Sequence, residues 1–296
     1  MKFLCFGSLN LDYTYHVDDF VHAGETIAAS ERAEFCGGKG LNQSIALARA
    51  GAEVHHGGCI GAEGDILRQR LEESGVRTEL LRQTDAPTGH AIIQVNPNGQ
   101  NCIIIFGGAN RCITEEMVNE MLSHFEAGDT VLLQNETSAR DYMITQAAKK
   151  GLLVALNPSP IDDALKSSPA LSQVHWFILN EIEGEALTGK QAPEEICLAL
   201  RAQYPQCVVV LTLGSDGVIC YDGKAFYRHG CYHVRAVDTT AAGDTFTGYF
   251  LAAVAQGKKL PTALELASKA AAISVSRPGA SDSIPTLEEV EKSILQ

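Results

Sequence analysis

Apolar runs of four to seven residues, each bounded by turn-forming residues, recur along the chain at 2–6, 54–60, 130–134, 152–156, 176–179 and 207–213. A strand buried on both faces reads as a continuous run of this kind, whereas a strand with one wet face alternates. Between the runs, apolar residues return every three or four positions over 41–50, 66–73, 115–125, 140–149, 193–203 and 262–276, which is the period of an amphipathic helix. Strand and helix in alternation predict an α/β fold: a central, mostly parallel sheet with helices on both faces. Segments 11–35 and 88–106 break the pattern. They lack helical period, are rich in β-formers, and the second carries a Pro97-Asn98-Gly99 turn. The pattern predicts a small β-sheet lid beside the main sheet; a β-rich edge of the main sheet is the alternative. With no repeat, low-complexity tract or linker, residues 1–296 read as one domain into which these two segments are inserted.

Composition narrows the partners. Hydrophobic residues make up 45% of 296 positions, enough for a large core, and 23 Lys and Arg against 36 Asp and Glu leave a net charge of −13 with no basic block. That balance argues against nucleic acid as a partner and means that an anionic ligand needs local donors or a metal ion. Nine cysteines form no CxxC pair or zinc-like cluster and are expected as reduced thiols in a cytoplasmic protein. The apolar run before Gly7 is too short for a signal-peptide core, and no stretch approaches 18 apolar residues, so no membrane association is expected.

The run DTTAAGDTFTGYFLAAVA, 238–255, sets Asp244 at the mouth of a helix whose first turn is Ala and Gly. Helix starts leave about four N–H groups unpaired and carry roughly half a positive charge, which suits a phosphate. Asp244 among such amides reads as a base; an ordinary first-turn acid, in a helix starting at Asp238 or Thr239, is the plain alternative. In FCGGKGLNQSIALARAG, 35–51, three glycines let backbone approach a ligand while Lys39 and Asn42 project towards hydroxyls. The GxxxxGK spacing of a P-loop and the GxGxxG of a dinucleotide fold are missing. Asn10 and Asp12 follow the strand at 2–6, and Asn135 and Glu136 follow that at 130–134, where open α/β sheets bind ligands. A carboxylate there can accept from both hydroxyls of a vicinal diol. Asn180 and Glu183, three apart after another strand, read either as a pair holding a hydrated Mg²⁺ or as a helix cap beside a surface acid. Thr212 and the turn from Gly214 to Gly217 would bring backbone close to an adenine nucleotide.

These residues together resemble the ribokinase branch of the PfkB carbohydrate-kinase family. GGKGLNQ at 37–43, NEIE at 180–183 and DTTAAGDTFTG at 238–248 match its motifs, and the resemblance runs from Phe3 to about Pro285. It implies a ribokinase-like fold and ATP-dependent phosphorylation of a furanose at its primary hydroxyl, D-ribose to ribose 5-phosphate foremost. Deoxyribose, fructose or a nucleoside as acceptor, or a non-catalytic sugar or nucleotide sensor, are the alternatives. By resemblance Asp244 is the base, with Ala241, Ala242, Gly243 and Asp244 supplying the anion-hole amides. Asn10, Asp12, Gly38, Lys39, Asn42 and Glu136 are the sugar contacts. Asn180, Thr212, Gly214, Gly217, Gly243 and Ser268 face the nucleotide, although Ser268 stands where members often carry His or Asn near the adenine. Glu183 acts on the hydration shell of Mg²⁺, while Asp238, Thr240, Ser274, Arg277, Gly279 and Ser283 occupy the positions of a K⁺ site. His90 and Gln94 replace more apolar residues in the lid and are the positions expected to alter the acceptor. A homodimer through the lid sheet is implied as well.

Overall fold

A computed structural model describes residues 1–295 of the chain. The chain enters through β1 (Lys2–Phe6), leaves it for β2 (Asn10–His16) and β3 (Glu31–Gly37), and returns through α1 (Lys39–Arg49) to β4 (Glu53–Ile60). Helix α2 (Asp65–Glu73) and β5 (Leu81–Gln83) precede a second excursion, β6 (Gly89–Val95) and β7 (Asn101–Phe106). Helices and strands then alternate: α3 (Glu115–Ser123), β8 (Thr130–Leu133), α4 (Arg140–Lys149), β9 (Leu153–Leu156), α5 (Asp163–Lys166), β10 (Trp176–Asn180), α6 (Glu181–Thr188), α7 (Pro193–Gln203) and β11 (Val208–Thr212). A hairpin of β12 (Val218–Tyr221) and β13 (Phe226–His229) leads to α8 (Ala242–Ala255), α9 (Leu260–Val275) and α10 (Leu287–Lys292).

Nine strands form the main sheet in the order β13-β12-β11-β10-β9-β8-β1-β4-β5. All six apolar runs lie in it as parallel strands, and only the β11-β12-β13 edge is antiparallel. Successive residues of β1 point to opposite sides and seed two cores. Phe3 and Cys5 pack with Leu41 and Ile45 of α1, Phe250 of α8 and Leu264 of α9. Leu4 and Phe6 pack with Val118 and Met121 of α3, Met143 of α4 and Leu200 of α7. Burial of each such side chain contributes about 1.5–3 kcal/mol, so the two-sided core holds the strand ends rigidly. Because β1 neighbours β4 on one side and β8 on the other, the winding reverses at β1 and opens a crevice beyond the strands' carboxyl ends.

Both β-rich excursions leave the main sheet and pair with each other, in the order β3-β2-β6-β7, rather than extending its edge. The β2-β3 and β6-β7 pairs are antiparallel and β2-β6 is parallel. Short elements escaped the sequence pattern: β5 has three residues, β13 four, and α10, six residues long, is fixed by a Thr286–Glu289 capping box rather than by periodicity. No helix among the described residues is long and apolar enough to cross a membrane. All nine cysteines are free thiols.

Candidate active site

Helix α8 begins at Ala242, not at Asp238 or Thr239, and its N-cap Ala241 takes a left-handed backbone with φ 63°. A non-glycine residue there carries strain of about 1–2 kcal/mol, which clusters at functional turns. The turn leaves the backbone N–H groups of Ala241, Gly243 and Asp244 without a protein partner, whereas that of Ala242 donates to the Thr239 carbonyl at 3.2 Å. Ala242 therefore departs from the expected set of free amides. A Cβ added to Gly243 would meet no heavy atom within 4 Å, so the residue borders open space.

Asp244 is buried, and both its oxygens accept from α1: Oδ2 from Asn42 Nδ2 at 3.0 Å and Oδ1 from Gln43 Nε2 at 2.8 Å. Helices α1 and α8 pack together, which makes this possible across two hundred residues of sequence. The Asn42 Oδ1 atom is buried with no partner, an acceptor waiting for a donor such as a hydroxyl. Beside it the Lys39 ammonium is desolvated, yet the carboxylates of Asp244, Glu136 and Glu183 outweigh that and hold its pKa above the usual value.

The polar ends of β1 and β8 converge on the same place. Glu136 accepts from the Ser8 hydroxyl, and burial raises its pKa against the pull of Lys39 and Ser8. Asp12 folds over Gly37, where a Cβ would lie 1.9 Å from its Oδ2. Burial, with the Glu136 carboxylate adding to it, pushes Asp12 up to about 7. Asn10 Oδ1 accepts from Asn110 Nδ2 at 2.8 Å, and Asn110 also exchanges bonds with the backbone of Leu9, so Asn10 is held in one orientation. Gly38, with φ 96°, is the N-cap that turns the chain from this cluster into α1.

Next to Asp244 lies a cleft of about 240 Å³ that gathers Lys39, Asn180, Glu183, Thr212, Ala241 and Gly243 from the sequence candidates. Asn157, Ile178, Leu179, Thr239 and Thr247 complete its wall without having been singled out. Asn180 and Glu183 form a reciprocal capping box on α6, with Asn180 Oδ1 accepting from the Glu183 amide at 2.9 Å and Glu183 Oε2 from the Asn180 amide at 3.0 Å. The cap reading is thus realised, and Glu183 still faces the cleft. No group of three or more His, Cys, Asp or Glu among the described residues is placed to hold a metal ion directly, so a divalent ion here would keep mostly water and phosphate oxygens, as Mg²⁺ does. Gly214, Gly217 and Ser268 lie outside the cleft wall; Gly217 packs so closely that a Cβ would sit 2.1 Å from the His229 carbonyl oxygen. A larger depression of about 380 Å³, lined by Asn119, Leu122, Ser123, Gln146, Lys149 and Lys150, holds no carboxylate and none of the motif residues.

Behind the α8 N-terminus two loops are tied together. Asp238 accepts from Gly279 N at 3.1 Å and Thr240 N at 2.9 Å, and the Ser274 and Ser283 hydroxyls bond each other at 2.7 Å. Arg277 turns its guanidinium to Glu289 at 2.7 Å, leaving only its backbone carbonyl for a cation. One carboxylate among hydroxyl and carbonyl oxygens is a donor set suited to a hard monovalent ion.

Strand register sets His90 and Gln94 apart from Asp12. Asp12 is level with Ala91 of β6, and His90 with Leu11, so the pleat puts His90 and Gln94 on the face opposite Asp12. His90 packs against Phe106 with ring centroids 5.1 Å apart, and Gln94 accepts from Val21 N at 3.1 Å. Ser8, Gln43, Asn110, Gln134 and Asn157 were missed; the available signal was a polar residue ending an apolar run or following a motif asparagine.

Comparison with known proteins agrees with this geometry. The model of the pfkB family carbohydrate kinases matches residues 1–287. A ribokinase of Haemophilus influenzae is 36% identical over 293 residues, covering 96% of this chain and 95% of its own. The Arabidopsis thaliana ribokinase structure with ribose and ATP superposes with a TM-score of 0.86 at 30% identity, covering 98% of this chain and 97% of that one. The Cryptococcus neoformans ribokinase structure with ADP gives 0.85 at 32% identity, covering 98% and 99%. The chain belongs to the PfkB family of carbohydrate kinases and is an ATP-dependent sugar kinase.

Proposed function

We propose that the chain phosphorylates the primary hydroxyl of a furanose, with D-ribose as the preferred acceptor and ribose 5-phosphate as the product. The observation that carries this is Asp244: a buried carboxylate clamped by Asn42 and Gln43, at a helix start with unpaired amides, with Lys39 and Glu136 close enough to interact with it and Asp12 in turn interacting with Glu136. The acceptor hydroxyl gives its proton to Asp244 as its oxygen bonds the γ-phosphorus; the bond from that phosphorus to the β–γ bridging oxygen breaks and ADP leaves. Amides of Ala241, Gly243 and Asp244 take the charge on the transferring group, and Lys39, the one cation in the cleft wall, orients it. Glu183 would hold Mg²⁺ through its water shell, and the ion would supply charge neutralisation to the phosphates; Asp238, Thr240, Ser274, Arg277, Gly279 and Ser283 would hold K⁺, which would stiffen the loop before α8.

The small sheet acts as a lid that excludes water from the acceptor. Its edge strand β7 exposes Ile103, Ile104, Ile105 and Phe106, an apolar row that supports pairing of two copies through the lids. Reduced thiols suit a cytoplasmic enzyme.

ADP release measured over pentoses, hexoses and nucleosides, in K⁺ and then in Na⁺, tests the reading. Ribose is expected to give the highest kcat/KM, with K⁺ raising the rate. A preference for deoxyribose, fructose or a nucleoside would replace the acceptor, and no acceptor-dependent release would make the protein a sensor.

Asp12 gives the acceptor a pH dependence of definite sign. Its pKa of about 7 in the acceptor-free protein means that it is protonated below neutrality, while a diol donating two hydroxyls favours the ionised form. The acceptor KM is therefore expected to rise as pH falls, approaching tenfold per unit below about 7. Asp12→Asn should raise KM above neutrality, where the wild-type carboxylate is ionised, and flatten its slope between pH 6 and 8; a wild-type KM already flat over that range would remove Asp12 from acceptor binding.

A further inference from the structure

We propose that Gln43 is a positioning residue for Asp244 and that Gln134 holds it in its working orientation, a proposal that rests on Asp244 being the base. An amide side chain has a donor end and an acceptor end, and a carboxylate accepts only. Gln43 must therefore turn Nε2 towards Asp244, where it lies 2.8 Å from Oδ1. Gln134, at the end of β8, donates its own Nε2 to Gln43 Oε1 at 2.7 Å. A flipped Gln43 would face two amino groups towards each other and set its oxygen against the carboxylate. The second proton of Gln43 Nε2 points to Asn157 Oδ1 at 3.2 Å, and Asn157 in turn donates to the Ile178 carbonyl at 2.9 Å. Both glutamines are buried, with relative exposures of 0% and 1%, so water cannot replace these bonds.

The consequence is a carboxylate fixed in plane. Asn42 holds one oxygen and Gln43 the other, so Asp244 cannot turn about its Cβ–Cγ bond without losing both. Gln43 reaches back through Gln134 and Asn157 to the ends of β8 and β9, elements whose positions the two cores fix.

Single-turnover transfer rates and the acceptor KM measured on Gln43→Met test this. The rate is expected to fall by about 10- to 100-fold while the acceptor KM stays within about threefold. Gln134→Met should lower the rate in the same way by less, and the double variant should be no slower than Gln43→Met, because Gln134 acts through Gln43. A wild-type rate in Gln43→Met would overturn the proposal, as would additive losses in the double variant. If Gln43→Met does not fold, Gln134→Met decides alone, a wild-type rate again counting against it. Turnover by Asp244→Asn would instead remove the base assignment, so the two failures are distinguishable.

Discussion

Asp244→Asn is expected to lower turnover by about 10³-fold or more while leaving nucleotide binding within about threefold. The acceptor hydroxyl loses the group that takes its proton, and asparagine offers no comparable basicity. The fold should tolerate the change for a specific reason. In the wild type both carboxylate oxygens face donors, from Asn42 and Gln43, so an introduced amino group must meet one of them. Gln43 is locked by Gln134, but the Asn42 Oδ1 atom has no partner, so Asn42 can flip and accept from the new amino group. One hydrogen bond is exchanged for another and the stability change stays near about 1 kcal/mol. ADP titration by calorimetry and a coupled assay at saturating acceptor check the two halves. Residual turnover within tenfold of wild type would remove Asp244 as base and leave the anion site as the main source of rate.

The contiguous parts of this site are legible in the sequence because one loop or helix start supplies each. GGKGLNQ and DTTAAGD carry their chemistry within a few residues, and Glu136 lies past the end of β8 as the apolar run before it predicts, whereas Asn10 and Asp12 lie within β2 of the small sheet rather than in a loop after β1. Relationships between elements are not legible in the same way. Gln43 lies inside the motif, yet its partners Gln134 and Asn157 sit at the ends of two other strands. His90 and Gln94 illustrate register: a slip of one residue between β2 and β6 would have put them beside Asp12, and no local pattern in β6 fixes that register. The NEIE segment reads equally as a cap or a metal-facing pair because it serves the backbone of α6 with one oxygen and still lines the cleft. Ala242 pairs with Thr239 because Ala241 enters the left-handed region, a turn that the residue type does not announce.

That turn sets up the second large effect. Gly243→Ala is expected to leave the melting temperature unchanged or slightly higher while lowering kcat/KM for ATP by about 100-fold or more. In a helix Ala is favoured over Gly by roughly 0.8–1 kcal/mol, and here the new Cβ meets no protein atom within 4 Å, so nothing in the fold resists it. Gly243 lines the cleft, and its own amide and that of Asp244 have no protein partner. A phosphoryl oxygen must come within about 3 Å of those N–H groups, and a methyl there keeps it out; displacement of about 1 Å suffices to cost a hundredfold. Acceptor binding, proposed to use the Asp12 and Glu136 side of the site, should be retained. Gly217 supplies the contrast, since its Cβ would press on the His229 carbonyl and an Ala there would act through the fold. Thermal melts, acceptor binding and ATP kinetics on Gly243→Ala together distinguish the two modes, and wild-type ATP kinetics would show that the transferring phosphate does not rest on the start of α8.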